Sequence, residues 1–252
     1  MTNKLKYFIG NWKMFGDFSS FKIIKKINQF SYLSKNVSKK KIILCVPNTL
    51  IYLFTKKLKS KSISLGVQNC HYHRNYGPFT GSVNASMLKK SGAEYIILGH
   101  SENRAEGETN LLIKRKIYSA FESKLKVIFC IGETLKEKKN GKTFSILKKQ
   151  IKNSLDKKLN IKKIIFAYEP VWSIGTNKIP KMKELKNIVK FIKNEVKRNF
   201  KIENVPKVLY GGSVNDKNIS FFSDVSDIDG FLVGGASQSS KKFIDIMKNY
   251  YK

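Results

Sequence analysis

The chain has 252 residues, 41% of them hydrophobic, and carries a formal net charge of +31 from 49 lysines and arginines against 18 acids. That length supports one large core in a single domain, residues 1–252, and the apolar run Tyr7–Ile9 is far too short for a signal peptide or a membrane span. Only Arg74, Arg104, Arg115 and Arg198 are arginine, and lysines are spread along the chain, as at Lys39–Lys41, Lys56–Lys61 and Lys148–Lys163, so the charge reads as solvated surface and not as a nucleic-acid site built on planar arginine forks and interleaved aromatics.

In chain order, the apolar run Lys6–Lys13 predicts a strand, and Asp17 to Ser20 offer N-caps for a helix over Phe18–Leu33. Strands follow at Lys41–Val46 and Ser64–Asn69. The polar stretch Asn69–Ser82 is too long for a simple connection and calls for a job of its own. A fourth strand at Glu94–Gly99 leads into helical periodicity over Asn103–Glu122, a fifth at Lys126–Ile131 into Leu135–Leu159, and a sixth at Ile164–Tyr168 into Met182–Asn199. The seventh, Lys207–Tyr210, precedes a short helix begun by Asn215 and Asp216 and ending near Phe222. The eighth, Gly230–Val233, precedes a helix over Lys241–Tyr250.

All eight runs are apolar through most of their length, the pattern of parallel strands buried on both faces. Eight such β-α units close naturally into a barrel with the helices outside, a doubly wound open sheet being the alternative. Cys45, Cys70 and Cys130 lie in or at the ends of strand-like runs, at neither metal-ligand nor disulfide spacing, which fits a reducing cytosol.

In a parallel barrel the carboxyl ends of the strands converge on one mouth. Asn11 and Lys13 end the first strand, His100 and Glu102 follow the fourth, Glu133 the fifth and Glu169 the sixth. Taken alone, Glu169 reads equally as a solvated strand-end acid or as a base taking a proton from carbon, with Trp172 and Ile174 placed to exclude water. His100 reads equally as a core hydrogen-bonding residue or as a proton carrier. The turns Gly211-Gly212-Ser213 and Gly234-Gly235-Ala236-Ser237 follow adjacent strands, and both can present backbone N–H groups to a phosphate. His71 and His73, two apart in a polar loop without a Cys or acidic cluster, do not make a metal site.

With these residues in place, the chain resembles the triosephosphate isomerase family over nearly its whole length. The resemblance runs through Gly10-Asn11-Trp12-Lys13-Met14, Leu98-Gly99-His100-Ser101-Glu102, Cys130-Ile131-Gly132-Glu133, Ala167 to Thr176, Tyr210 to Val214 and Gly230 to Ser237. It implies an eight-stranded parallel (β/α)8 TIM barrel that interconverts dihydroxyacetone phosphate and D-glyceraldehyde 3-phosphate through an enediolate, in glycolysis and gluconeogenesis, with neither metal nor organic cofactor. It further implies Glu169 as the base and His100 as a neutral imidazole electrophile, roles already established for this family. Lys13 and Asn11 then bind and orient substrate, Glu102 supports His100 and Lys13, and the amides of Gly175, Ser213, Gly234 and Gly235 hold phosphate.

The loop Asn69–Ser82 resembles the family's dimerisation loop, implying a cytoplasmic homodimer with Thr80 directed toward the partner's site and no membrane or nucleic-acid partner. Ser82 and Asn103 depart from the acid and arginine common at those positions, which bears on the interface. Asn177 replaces a lid glycine, and Pro180 offers Tyr210 no N–H, so the lid is expected to rest on Ser213 and Glu133 more than on Tyr210. Two rival readings are a barrel acting on another sugar phosphate or an indole precursor, and a nucleic-acid-binding protein on an inherited barrel.

Overall fold

A computed structural model of the chain describes residues 5–34, 39–58 and 62–252; within the lysine patch Lys56–Lys61, residues 59–61 lie outside the described residues. Among the described residues the strands are β1 (Lys6–Asn11), β2 (Lys40–Cys45), β3 (Ser64–Val67), β4 (Tyr95–Leu98), β5 (Lys126–Ile131), β6 (Ile164–Tyr168), β7 (Lys207–Tyr210) and β8 (Gly230–Val233). Each pairs in parallel with the next, and β8 closes on β1 with Phe8 beside Phe231 and Gly10 beside Val233. This is the (β/α)8 barrel, not the open sheet.

Strand alternation sorts the apolar side chains into two sets. Ile9, Ile43, Ile97, Ile128, Ala167, Leu209 and Leu232 pack together as the barrel's filling. Their neighbours Phe8, Ile42, Leu98, Phe129, Phe166 and Phe231 face outward into the larger core beneath the helices. Every strand carries at least one Val or Ile, because a side chain branched at Cβ fits a pleated surface covered on both faces.

The helices of the outer ring are α1 (Phe21–Leu33), α2 (Asn48–Lys57), α3 (Ala85–Lys90), α4 (Ser101–Ala105), α5 (Asn110–Glu122), α6 (Leu135–Lys139), α7 (Thr143–Ser154), α8 (Met182–Phe200) and α9 (Ser240–Tyr250). Sequence periodicity left α2 and α3 undelimited. It also ran α4 into α5 and α6 into α7, whereas the chain breaks at Gly107 and Gly141, both in left-handed backbone, and Thr109 caps the restart of α5. As expected, Asp17 caps the single 3-10 turn before α1, and Asn215 accepts N–H bonds from Lys217 and Asn218 ahead of the turn Ile219–Phe222.

Four strands end earlier than the sequence suggested, β2 among them at Cys45 instead of Val46. β1 stops at Asn11 because Lys13 takes φ +57°, β3 stops at Val67, and β4 stops before Gly99. Cys70 consequently lies in the loop after β3, and the three cysteines are free and buried. Within that loop His71 and His73 are packing residues, each with its ring centroid 4.6 Å from that of Phe79.

Candidate active site

Glu169 directly follows β6, and its backbone N–H donates to Ile131 O at 2.8 Å, which fixes the carboxylate at the mouth beside β5. The side chain is buried, Oε1 lies 3.3 Å from His100 Nε2, and Oε2 has no hydrogen-bond partner among the described residues. Burial pushes the carboxyl above the ordinary carboxylate range, and His100, the Cys130 thiol and Lys13 pull it part of the way back. Space for it is made by Gly211, where a Cβ would lie 2.6 Å from Glu169 Cγ. The solvated-acid reading of Glu169 therefore falls, since a buried oxygen without a partner suits a group waiting for a proton.

His100 is the N-cap of α4, and its Nδ1 accepts the Glu102 backbone N–H at 3.2 Å. Accepting that bond leaves Nδ1 unprotonated, so the ring is neutral and presents Nε2–H to the cavity. Glu102 reaches the site by another route: its carboxylate pairs with Lys13 Nζ. Lys13 itself is held in left-handed backbone while Asn11 Oδ1 accepts its N–H at 3.1 Å. The residues at the ends of β1 and β4 thus converge with Glu169 on one cavity.

That cavity has a volume of about 230 Å³ and is lined by Asn11, Lys13, His100, Glu169, Gly175, Ser213, Gly234 and Gly235, with Ile174 and Leu232 as apolar walls. All the sequence-predicted site residues except Glu102 line it, and Glu102 stands behind Lys13. The two glycine turns after β7 and β8 border it without side chains. A dianion seated there would meet backbone N–H groups and the Lys13 ammonium.

The segment after Glu169 forms a lid whose first turn is the 3-10 helix Val171–Ser173. Glu133, fully buried, anchors it: its backbone carbonyl accepts Val171 N–H at 3.0 Å, and its carboxylate accepts Trp172 Nε1–H at 3.0 Å and the Tyr168 hydroxyl at 3.1 Å. Burial raises the Glu133 carboxyl above its usual range, and these donors oppose the rise. Asn177 adopts the left-handed backbone expected of a glycine substitute, φ +58°. Tyr210, however, carries more of the lid than the sequence suggested, because the buried Ser173 hydroxyl meets Tyr210 OH at 2.9 Å and replaces the N–H that Pro180 lacks. The Ser213 contact runs through its backbone N–H, which donates to Ser173 Oγ at 3.3 Å.

Sequence reasoning missed Ser173 and two further supports. Lys138 Nζ lies 3.9 Å from the Trp172 ring centroid and 2.6 Å from Glu184. Arg104 bridges the ends of β4 and β5 by donating to Gly99 O at 2.8 Å and to Cys130 O at 3.4 Å. Lys138 is one lysine among several on α6, and nothing in the spacing marks the backbone contacts of Arg104. The other arginines are also engaged within the chain, Arg74 with Glu122, Arg198 with Glu195 and Arg115 over the Tyr72 ring, while Lys148, Lys149, Lys152, Lys162 and Lys163 are exposed.

A closed parallel barrel whose mouth joins a buried carboxylate, a neutral imidazole, a lysine and two glycine turns defines an enzyme for small phosphorylated substrates. Comparison with known proteins narrows the class. The family model for triosephosphate isomerase matches residues 6–250. The triosephosphate isomerase of Dictyoglomus turgidum is 38% identical over 252 residues, covering 97% of this chain and 99% of that protein. The enzyme of Dictyoglomus thermophilum is 39% identical, also over 97% of this chain and 99% of its own. The crystal structure of triosephosphate isomerase from Bartonella henselae superposes with a TM-score of 0.88 at 33% identity, covering 98% of this chain and 99% of that one.

The chain belongs to the triosephosphate isomerase family. It is an isomerase that interconverts dihydroxyacetone phosphate and glyceraldehyde 3-phosphate, a step of glycolysis.

Proposed function

We propose that residues 1–252 form one catalytic unit in which Glu169 and His100 divide the proton transfers between carbon and oxygen. Glu169 removes a proton from one substrate carbon and returns it to the neighbouring carbon, and the Nε2–H of His100 polarises the carbonyl and exchanges protons with the oxygens of the enediolate. Lys13 supplies fixed positive charge to the dianion, Asn11 orients it, and Glu102 holds the Lys13 ammonium in place. The N–H groups of Gly175, Ser213, Gly234 and Gly235 receive the phosphate, and the lid excludes water from an enediolate prone to eliminate phosphate. The observation that carries this reading is the 3.3 Å approach of Glu169 to His100 inside the glycine-lined cavity. A coupled isomerisation assay in the presence of a phosphoglycolate-type analogue tests it: competitive inhibition tighter than by inorganic phosphate is expected, and equal inhibition by the two would overturn it.

The same reading takes the protein as a homodimer in the cytoplasm. In support, the loop Asn69–Ser82 packs the rings of His71 and His73 on Phe79, and Met14, Phe18 and Tyr76 hold apolar side chains in water that a second copy would cover. The buried free thiols suit a reducing compartment. No helix among the described residues is long and apolar enough to cross a membrane. Sedimentation at micromolar concentration should give a dimer; a fully active monomer would refute the assembly.

A further inference from the structure

Gly132 sits at the turn that carries the base and the lid. It follows β5 directly, and a Cβ there would lie 1.8 Å from Glu169 O, so the Gly132 backbone packs straight against the backbone of the base. The next residue, Glu133, receives Val171 N–H on its carbonyl and Trp172 Nε1–H on its carboxylate. Any shift of the Gly132-Glu133 turn is therefore passed to Glu169 and to the first turn of the lid together.

One side chain fixes that turn. Gln150, on α7, donates from Nε2 to Gly132 O at 2.9 Å and accepts the Gly132 N–H on Oε1 at 2.9 Å. The amide thus satisfies both polar groups of one residue, as a neighbouring strand would, at the point where β5 has ended. Gln150 does not line the cavity. We infer that Gln150 is a positioning residue for the isomerisation: its amide clamps Gly132 so that the Glu169 carboxylate and the Trp172 anchor keep their places on either side of the turn. This inference rests on Glu169 being the base.

The clamp needs one donor and one acceptor, which decides the test. Gln150→Glu keeps the shape and the acceptor for Gly132 N–H but sets a carboxylate against Gly132 O. Protonating that carboxyl restores a donor and both bonds. The charged and titratable groups around the turn include Glu133 and Glu169, both shifted upward mainly by burial, the Cys130 thiol beside Glu169, Arg104 on the Cys130 carbonyl and Lys138 near Glu133, so each rate is expressed as the ratio of variant to parent at the same pH. The expected result is a kcat about 10- to 100-fold below the parent at pH 8 with KM changed less than about threefold, and a ratio that recovers as pH falls toward 6. Gln150→Met, which loses both bonds, should show a similar loss with a flat ratio, and it carries the test if the glutamate variant does not fold.

Parent-like kcat in Gln150→Met, or a ratio for Gln150→Glu that does not rise on acidification, overturns the inference. Glu169→Gln is assayed alongside. Full activity in that variant would remove the base assignment itself, which the two Gln150 variants do not address.

Discussion

His100 Nε2 and Glu169 Oε1 face each other at 3.3 Å across the barrel mouth, and each group's other polar atom is disposed differently. His100 Nδ1 is committed to the Glu102 N–H, whereas Glu169 Oε2 is buried without a hydrogen-bond partner among the described residues. The imidazole is thereby fixed as a donor toward the cavity. The carboxylate is left underbonded, and an underbonded buried carboxylate is a stronger base than a solvated one.

Replacing that base separates activity from stability. Glu169→Gln should lower kcat by roughly 10²–10⁴ while leaving KM nearly unchanged. The folded carboxyl titrates above its ordinary 4.5, so the acid limb of kcat/KM in the parent should lie above that value. For stability the sign is reversed: a raised folded value favours the native state below the unfolded value, and that contribution is lost as pH rises through the folded one. At pH 7 the glutamine variant should therefore melt higher, with the gap closing as pH approaches 4. Calorimetry at the two pH values checks it; a variant less stable at pH 7 would contradict the burial argument.

The two glycine turns should fail in different ways. At Gly211 an added Cβ lies 2.6 Å from Glu169 Cγ, while at Gly235 it meets nothing within 4 Å. Gly211→Ala should displace the base and reduce kcat about 100-fold. Gly235→Ala leaves the base alone and intrudes on the proposed phosphate seat, so its effect should fall mainly on KM. Steady-state kinetics of the pair decide this, and matching kcat losses would show that neither glycine is there for the base.

Ser173 ties the lid to β7. Its hydroxyl contacts Tyr210 OH and Lys178 O and accepts the Ser213 N–H, all from a fully buried position. Ser173→Ala should lower stability by about 1–2 kcal/mol and reduce kcat/KM. Because Tyr210 acts on the lid through this hydroxyl, Tyr210→Phe should cost less on the Ser173→Ala background than in the parent, by about 0.5–3 kcal/mol of coupling. Strictly additive effects in the double-variant cycle would place the Tyr210 contribution elsewhere. Ser213→Ala is not an equivalent variant, since the Ser213 contact is made by its backbone.

The barrel was legible because its determinants are local. Eight apolar runs of strand length spaced by helical segments allow few topologies, and β5 to β8 begin and end where the sequence placed them. What escaped was set by backbone conformation or by contacts distant in sequence. Periodicity carries no sign that Gly107 and Gly141 turn left-handed, so two helix pairs read as single helices. Asn11, Lys13, His100, Glu169 and the glycine turns could be located because strand ends share one mouth. Gln150 and Ser173 could not, since one acts on backbone 18 positions away and the other on a tyrosine 37 positions away. Pro180 pointed to a missing lid contact, but the replacement came from a hydroxyl seven residues earlier.

The opposite end of the barrel should govern stability without touching turnover. Asp229, just before β8, accepts Val208 N–H at 3.0 Å and lies 2.8 Å from Lys193 Nζ on α8, while its backbone carbonyl accepts Tyr7 N–H at 2.9 Å. It thus joins β7, β8, β1 and α8 at the amino ends of the strands, the end that in parallel barrels serves the fold and not the chemistry. Asp229→Ala takes the carboxylate away from the Lys193 ammonium, whose side chain is 9% exposed, leaves it the Asp227 carbonyl at 2.5 Å, and should cost about 3–5 kcal/mol. At 2–4 °C per kcal/mol the midpoint should fall by roughly 6–20 °C, with kcat at 15 °C unchanged. Asp229→Asn keeps an acceptor for Val208 and should lose less. A kcat that fell in step with the melting point, measured well below it, would mean that the lower rim also sets the geometry of the mouth.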